Sequence, residues 1–165
     1  MKIYKYIILA IAAFVTTLLD TSFFSFIDIF EASIISTFSA LLVLTILNFK
    51  REALYFASFS ILFYTIFSSV PVYLLFLLFF GISTLLYLAK IKVAINLKSI
   101  FWVIIIFLVS NFLFDLFLLL LFGGVTADSL TSLFFFVIIN TIFGIILFYL
   151  SKILIKYFNI EVKES

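Results

Sequence analysis

The sequence contains no cysteine and no histidine, and the two absences exclude several kinds of chemistry. Without cysteine the chain has no disulfide framework, no thiolate nucleophile and no zinc-thiolate site. Without histidine it has no Ser-His-Asp triad, no histidine proton relay and no histidine metal ligand. No phosphate-binding loop is present, and no loop is long enough to form a soluble active site. We therefore predict a protein that is not an enzyme, with no catalytic residues, no metal site and no cofactor.

Charged residues, proline and glycine are also scarce. Of the 165 residues only 11% are charged and 67% are hydrophobic, and the mean hydropathy is +1.47. So few charges cannot cover a water-soluble globule, which is about 25% charged, and this hydrophobicity excludes intrinsic disorder. One proline and four glycines exclude collagen-like and flexible-linker sequences. A net charge of +2 gives no indication of nucleic-acid binding. The composition indicates an integral membrane protein.

Long apolar stretches divide the chain into candidate membrane spans. A helix needs about 20 mostly apolar residues to cross a hydrocarbon core of about 30 Å. The alternating apolar and polar strands that are typical of membrane barrels are missing. We therefore predict an all-α integral membrane protein with one transmembrane domain, residues 1–165. Its six predicted spans lie near residues 3–19, 32–49, 53–67, 71–89, 100–122 and 130–155.

The positions of the basic residues predict the orientation of these spans. All ten lie near the start of span 1, between spans 2 and 3, between spans 4 and 5, or near the end of span 6 and beyond it: Lys2, Lys5, Lys50, Arg51, Lys90, Lys92, Lys98, Lys152, Lys156 and Lys163. With six spans these four segments share one side of the membrane. The charged residues on the opposite side are all acidic: Asp20, Asp28, Glu31 and Asp128. Because cytoplasmic loops carry the excess of Lys and Arg, we predict both termini in the cytoplasm.

The longest stretch on the acidic side, residues 20–31, interleaves acids with phenylalanine and isoleucine. Its composition favours a segment that lies at the membrane surface over the alternative, an apolar contact for a partner outside. We therefore predict an external contact segment whose acidic members are Asp20, Asp28 and Glu31.

Two asparagines and one aspartate lie within the last two spans, where a polar side chain has to face the bundle or a cavity. Asn111 and Asp115 are four residues apart and share a helix face, and Asn140 lies at a comparable depth on span 6. We predict that the three form an intramembrane polar cluster. Three interpretations stay open, namely hydrogen bonding between helices, contact with a partner's transmembrane helix, and a transport or proton-linked role. The two cations inside the span bounds, Lys5 and Lys152, lie near the ends predicted to be cytoplasmic, so no cation lies at the depth of Asp115 to pair with it.

Small and hydroxyl residues indicate which helix faces pack closely. The stripe on span 1 consists of Ala10, Ala13, Thr17 and Asp20, the stripe on span 2 of Ser33, Ser36, Thr37 and Ala40, and the stripe on span 6 of Asn140, Gly144 and Ser151. Small residues let membrane helices approach each other, so we predict that these faces point into the bundle.

Several short strings resemble the bacterial rod shape-determining protein MreD family. Leu-Asp-Thr-Ser-Phe at 19–23 is similar to the family's exit from its first span, and Phe-Ser-Ser-Val-Pro at 67–71 to its third hairpin. Leu-Phe-Asp at 113–115 is similar to an acidic position in the fifth span of some members. Val-Ile-Ile-Asn-Thr at 137–141, followed by Leu147 and Lys152, resembles the last span, which has an Asn near its start and a basic tail. Thr65, Ser69 and Tyr73 depart from an expected Asp and two expected glycines.

The resemblance implies a non-catalytic component of the machinery for cell-wall elongation and cell shape in the bacterial inner membrane. It implies contact with membrane lipid, with an MreC-like bitopic protein and with the complex of MreB and the wall synthases. The alternative is a module similar to the substrate-binding S component of energy-coupling-factor transporters, which has a similar size and six spans. Such a module would bind a vitamin or a metal near the outer face, through Asn111, Asp115 and Asn140.

Overall fold

The computed structural model describes residues 2–26, 32–93, 99–123 and 126–157, and within these ranges the chain forms helices and no strand. The helices in chain order are α1 (Lys2–Leu18), α2 (Ser36–Ile46), α3 (Lys50–Phe67), α4 (72–93), α5 (Ile100–Leu118) and α6 (Ala127–Tyr157). A π-helical turn interrupts α4 at Leu77–Gly81, and π-helical turns extend α1 and α5 over Leu19–Phe23 and Leu119–Gly123. A short 3-10 turn, Phe24–Phe26, ends the first helical segment. The predicted all-helical class is confirmed.

In the described part of the chain, four helical stretches are apolar and long enough to cross a membrane. They are Tyr4–Phe26, Val72–Ala89, Ile100–Leu121 and Asp128–Tyr157, with 23, 18, 22 and 30 residues. At 1.5 Å per residue even the shortest extends about 27 Å, which is close to the thickness of a hydrocarbon core, about 30 Å. These four helices indicate a membrane protein.

The other two helices differ from these four. Helix α3 has 18 residues, but its first turn carries three charged residues, Lys50, Arg51 and Glu52. Helix α2 has 11 residues, and it therefore extends only about 16 Å. It occupies part of the stretch 32–49, which the sequence predicts as one span. Different contacts determine where the helix begins and where it ends.

At its C-terminal end α2 stops in a Schellman motif. The Phe49 N–H donates to the Leu44 carbonyl at 3.0 Å, and the Asn48 N–H donates to the Thr45 carbonyl at 3.3 Å. These two bonds require a left-handed residue at position 48, where the φ angle is 66°, and asparagine adopts that conformation more readily than most residues. The chain therefore reverses direction directly after Ile46 and enters α3.

The short helix α2 lies at the centre of the bundle and contacts all five other helices. Eight of its 11 residues are buried. Around it, α1 packs against α3, α5 packs against α6, and α4 packs against α3 and α5. The other five helices therefore surround α2 and bury most of its side chains.

Aromatic rings from four helices meet beside α2. The Phe38 ring lies 4.4 Å from the Phe114 ring and 6.2 Å from the Phe79 ring, measured between centroids. Phe114 in turn stacks on Phe136 at 6.2 Å, with an angle of 9° between the ring planes. Offset and edge-to-face pairs of this kind add to the energy of apolar burial. The cluster therefore holds α2, α4, α5 and α6 together.

The helix faces that the sequence predicts to pack closely do so. On α1, Ala13 and Thr17 are fully buried, and Ala10 and Asp20 are half-buried. On α6, a Cβ atom added at Gly144 would lie 2.3 Å from the Phe107 ring of α5. That distance is far inside van der Waals contact, so only glycine fits at position 144 while the ring stays in place.

Candidate functional site: the polar cluster at the start of the central helix

The backbone before α2 needs hydrogen-bond partners from other parts of the chain. Residues 33–35 have no regular secondary structure and are half-buried. The first N–H groups of a helix have no partner within the helix itself, and the residue that precedes α2, Ile35, has no side chain that can cap them. A free backbone N–H or carbonyl in apolar surroundings is costly, so these groups require partners elsewhere.

Asp20, in the π-helical turn after α1, supplies the partners for the first turn of α2. Its Oδ1 atom accepts hydrogen bonds from the Ser36 N–H and the Ser36 hydroxyl, both at 2.6 Å. Its Oδ2 atom accepts from the Thr37 N–H at 3.0 Å and from the Tyr64 hydroxyl of α3 at 2.6 Å. Asp20 thus acts as a capping residue from a distant position, and it places acceptor oxygens at the positive end of the helix dipole.

Asn140, on α6, supplies the partners for residues 33–35. Its Oδ1 atom accepts from the Ile35 N–H at 2.7 Å, and its Nδ2 group donates to the Ser33 carbonyl at 2.9 Å. The same Nδ2 group donates to the Phe136 carbonyl of its own helix at 3.1 Å. The Asn140 side chain is fully buried, and both ends of its amide are used within the chain.

Asp20, Tyr64, Asn140 and the backbone of residues 33–37 form one structural unit, which we call the α2 cap cluster. It joins α1, α3 and α6 to the beginning of α2. It also explains why α2 begins at Ser36, because the backbone before that point is held by side chains from neighbouring helices. Irregular backbone is tolerated at membrane depth where protein surrounds and satisfies it.

Asn111, on α5, makes a separate contact with α6. Its Nδ2 group donates to the Thr141 hydroxyl at 3.3 Å, and its Oδ1 atom is buried without a partner in the described part of the chain. Asn111 is therefore bonded to the neighbour of Asn140 and not to Asn140 itself. Both asparagines are fully buried.

Asp115 differs from the other polar residues of the bundle. Its side chain is half-buried, and within the described ranges it has neither a hydrogen bond nor an ion pair. Leu108 and Phe112, on the same helix, are exposed. The spacing of Leu108, Phe112, Asp115 and Leu119 places these four residues on one side of α5, and we call this surface the Asp115 face.

The structure thus assigns different surroundings to the residues that the sequence analysis singles out. Within the described ranges, hydrogen bonds do not join Asn111, Asp115 and Asn140 into one network. Asp20, predicted as part of an external contact segment, directs its carboxyl inward onto α2, while Asp28 and Glu31 lie outside the described residues. In the described part of the chain no group of three acidic side chains could hold a metal ion.

The sequence predicts Ser36 only as part of a packing stripe and not as a member of the α2 cap cluster, and it does not predict Tyr64 at all. Ser36 is a residue type that commonly begins helices, and that signal lies within an otherwise apolar run. Tyr64 carries no sequence signal, because only the packing of α3 against α1 brings its hydroxyl to Asp20.

A scan of protein-family models found no match to this chain, and searches of curated proteins and of solved structures found none either.

Proposed function

We propose that this chain is a non-catalytic component of the bacterial inner membrane that resembles MreD and binds partner membrane proteins of the cell-wall elongation machinery. The observation that carries the proposal is the Asp115 face. A carboxyl group within an apolar span is costly and is usually functional, yet Asp115 has neither a hydrogen bond nor an ion pair within its own bundle in the described ranges. A partner's transmembrane helix with a hydrogen-bond donor would supply the missing contact.

The surroundings of the polar residues support different roles for them. Asn140 is fully used inside the bundle, which favours hydrogen bonding between helices as its role. Asp115 lies beside the exposed apolar side chains of Leu108 and Phe112, which favours contact with a partner helix. The apolar residues would contribute packing area, and Asp115 would contribute one interhelical hydrogen bond, which stabilises membrane helix pairs by about 0.6–2 kcal/mol.

We also propose six membrane crossings with both termini in the cytoplasm. The short helix α2 counts as a crossing because the backbone before it is satisfied by the α2 cap cluster and enclosed by protein. The ion pair between Lys5 and Glu52 supports this topology, since it joins the beginning of α1 to the beginning of α3. In the proposed topology the N-terminus and the turn between α2 and α3 accordingly share the cytoplasmic side.

Single cysteines test the topology cleanly because the chain has none of its own. Arg51 and Asp128 are exposed and lie on opposite sides in the proposed topology. We expect a membrane-impermeant maleimide to label Asp128→Cys in intact cells, and to label Arg51→Cys only after the membrane is permeabilised. Labelling of Arg51→Cys in intact cells would overturn the orientation.

Co-purification tests the function. We expect Asp115→Leu to reduce the recovery of a co-expressed MreC-like bitopic protein about tenfold, the loss of about 1.4 kcal/mol, while the helical content stays unchanged. Asn111→Leu, one turn away and inside the bundle, is the matched control and should retain the partner. Full recovery of the partner with Asp115→Leu would contradict the proposal, and loss of solute uptake in Asp115→Asn would support the transporter alternative.

A further inference from the structure

A cavity of about 240 Å³ lies between α2, α3 and α4, on a different part of the bundle from the Asp115 face. Its lining changes from polar to apolar along its length. Lys50, Thr45 and Tyr87 lie at one end, and Leu41, Ala57 and Phe79 lie at the other.

On each of the three helices the lining residues change from polar to apolar in the same direction along the cavity. On α4, Tyr87, Ser83 and Phe79 follow each other one turn apart, so each step is about 6 Å. On α2, Thr45 lies one turn from Leu41. On α3, Lys50 at the polar end lies two turns from Ala57 at the apolar end, which is about 10 Å. A ligand that matches the cavity therefore has a polar head and an apolar tail.

The charge at the polar end is positive and lacks an acidic partner in the described part of the chain. The Lys50 ammonium donates to the Tyr87 hydroxyl at 2.5 Å and lies 4.3 Å from the centre of the Tyr87 ring. Both contacts hold the ammonium in place without neutralising its charge. Glu52, the nearest acid in sequence, is paired with Lys5 instead. The head of the ligand is therefore expected to be an anion.

The lining contains a second polar group, the hydroxyl of Ser83. The Ser83 hydroxyl is buried, and no hydrogen-bond partner for it exists within the described ranges. It lies one turn deeper than Tyr87, at the depth where a phospholipid carries its ester carbonyls below its phosphate. A carbonyl at that position would accept the hydrogen bond that Ser83 can donate.

We propose that this cavity binds one anionic phospholipid of the membrane, with its phosphate on Lys50, an ester carbonyl on Ser83, and an acyl chain between Leu41, Ala57 and Phe79. Basic pockets between transmembrane helices bind anionic lipid head groups. A zwitterionic lipid is less suitable, because among the described residues the cavity lining offers no acidic side chain to the cationic group of its head. The site is independent of the proposed partner contact at Asp115.

Native mass spectrometry tests the proposal with a defined probe. The protein is reconstituted with an equimolar mixture of phosphatidylglycerol and phosphatidylcholine that carry identical acyl chains, and the retained lipid is counted. We expect one retained phosphatidylglycerol on the wild-type chain. Lys50→Gln should lower its excess over phosphatidylcholine about fivefold, the contribution typical of one lysine at an anionic membrane surface.

Two further variants make the result decisive. Lys152 also lies over an aromatic ring, that of Phe148 at 4.6 Å, but it does not line the cavity. Lys152→Gln is therefore the matched control and should retain the wild-type preference. Thr84→Phe, at an exposed lining position, should reduce binding of both lipids by filling the cavity. Equal effects of the two lysine variants, or unchanged binding in Thr84→Phe, would overturn the proposal.

Discussion

Replacing Asn140 by leucine is expected to loosen the beginning of α2. The substitution preserves the approximate size of the side chain but removes its hydrogen bonds to the Ile35 N–H and the Ser33 carbonyl. Both backbone groups then remain in a half-buried segment without their partner. The loss of the hydrogen bond to the Phe136 carbonyl costs less, because this carbonyl belongs to the regular backbone of α6.

The expected change in the free energy of unfolding follows from the number and kind of hydrogen bonds that the substitution removes. Interhelical hydrogen bonds in membrane proteins contribute about 0.6 kcal/mol on average and about 1.7 kcal/mol at most. Two lost bonds, each of which leaves a backbone group unsatisfied, therefore correspond to a loss of about 2–3 kcal/mol in the free energy of unfolding. Asn111→Leu removes a single bond of 3.3 Å together with an oxygen that has no partner in the described residues. Its expected cost is below about 1 kcal/mol.

The two variants form a matched pair, since both asparagines are fully buried. Reversible unfolding in mixed micelles of a mild detergent and dodecyl sulfate measures both. Circular dichroism follows the helices, and the fluorescence of Trp102, the single tryptophan, follows the packing of α5. Equal losses for Asn140→Leu and Asn111→Leu would refute the assignment of Asn140 to the support of α2.

Two other predictions use the same unfolding assay. Gly144→Ala should cost about 1–3 kcal/mol, because the added Cβ would lie 2.3–3.0 Å from the Phe107 ring, while Gly81→Ala, whose Cβ would meet nothing closer than 3.9 Å, should be tolerated at that position. Equal stability of both glycine variants would contradict this packing. Tyr64→Phe removes one of the four hydrogen bonds that Asp20 accepts and should cost about 1 kcal/mol. Asp20→Ala removes all four and should cost more, and the reverse order would contradict the α2 cap cluster.

The sequence is sufficient to predict the helical class and a hydrogen-bonding role for Asn140, because an apolar environment restricts both the backbone and any polar side chain within it. An apolar run without alternation forms a helix, and a polar residue within it has to find a partner. The identity of that partner is not encoded locally. Asn140 bonds the backbone of Ser33 and Ile35, more than 100 positions away in the chain, and no side-chain pattern marks a backbone atom as an acceptor or donor.

The length of α2 and the direction of Asp20 illustrate the same limit. Residues 32–49 contain neither proline nor glycine, so the sequence predicts one continuous span. The helix is shorter because tertiary hydrogen bonds from α1 and α6 hold the backbone before Ser36, and such contacts override local propensity. Asp20 follows an apolar run, as a boundary residue does, and it also continues the stripe of Ala10, Ala13 and Thr17, but neither pattern identifies its partners. Its inward direction depends on the π-helical turn and on the packing of α1 against α3.

Photo-cross-linking from the Asp115 face tests the central proposal most directly. A photoreactive phenylalanine analogue at Phe112 is expected to cross-link an MreC-like bitopic protein in living cells, and the cross-link should disappear when Asp115→Leu is added. The same probe at Leu62, an exposed position on α3, should give no such cross-link. Equal cross-linking from both positions, or a Phe112 cross-link that persists with Asp115→Leu, would contradict the assignment of this face to a partner.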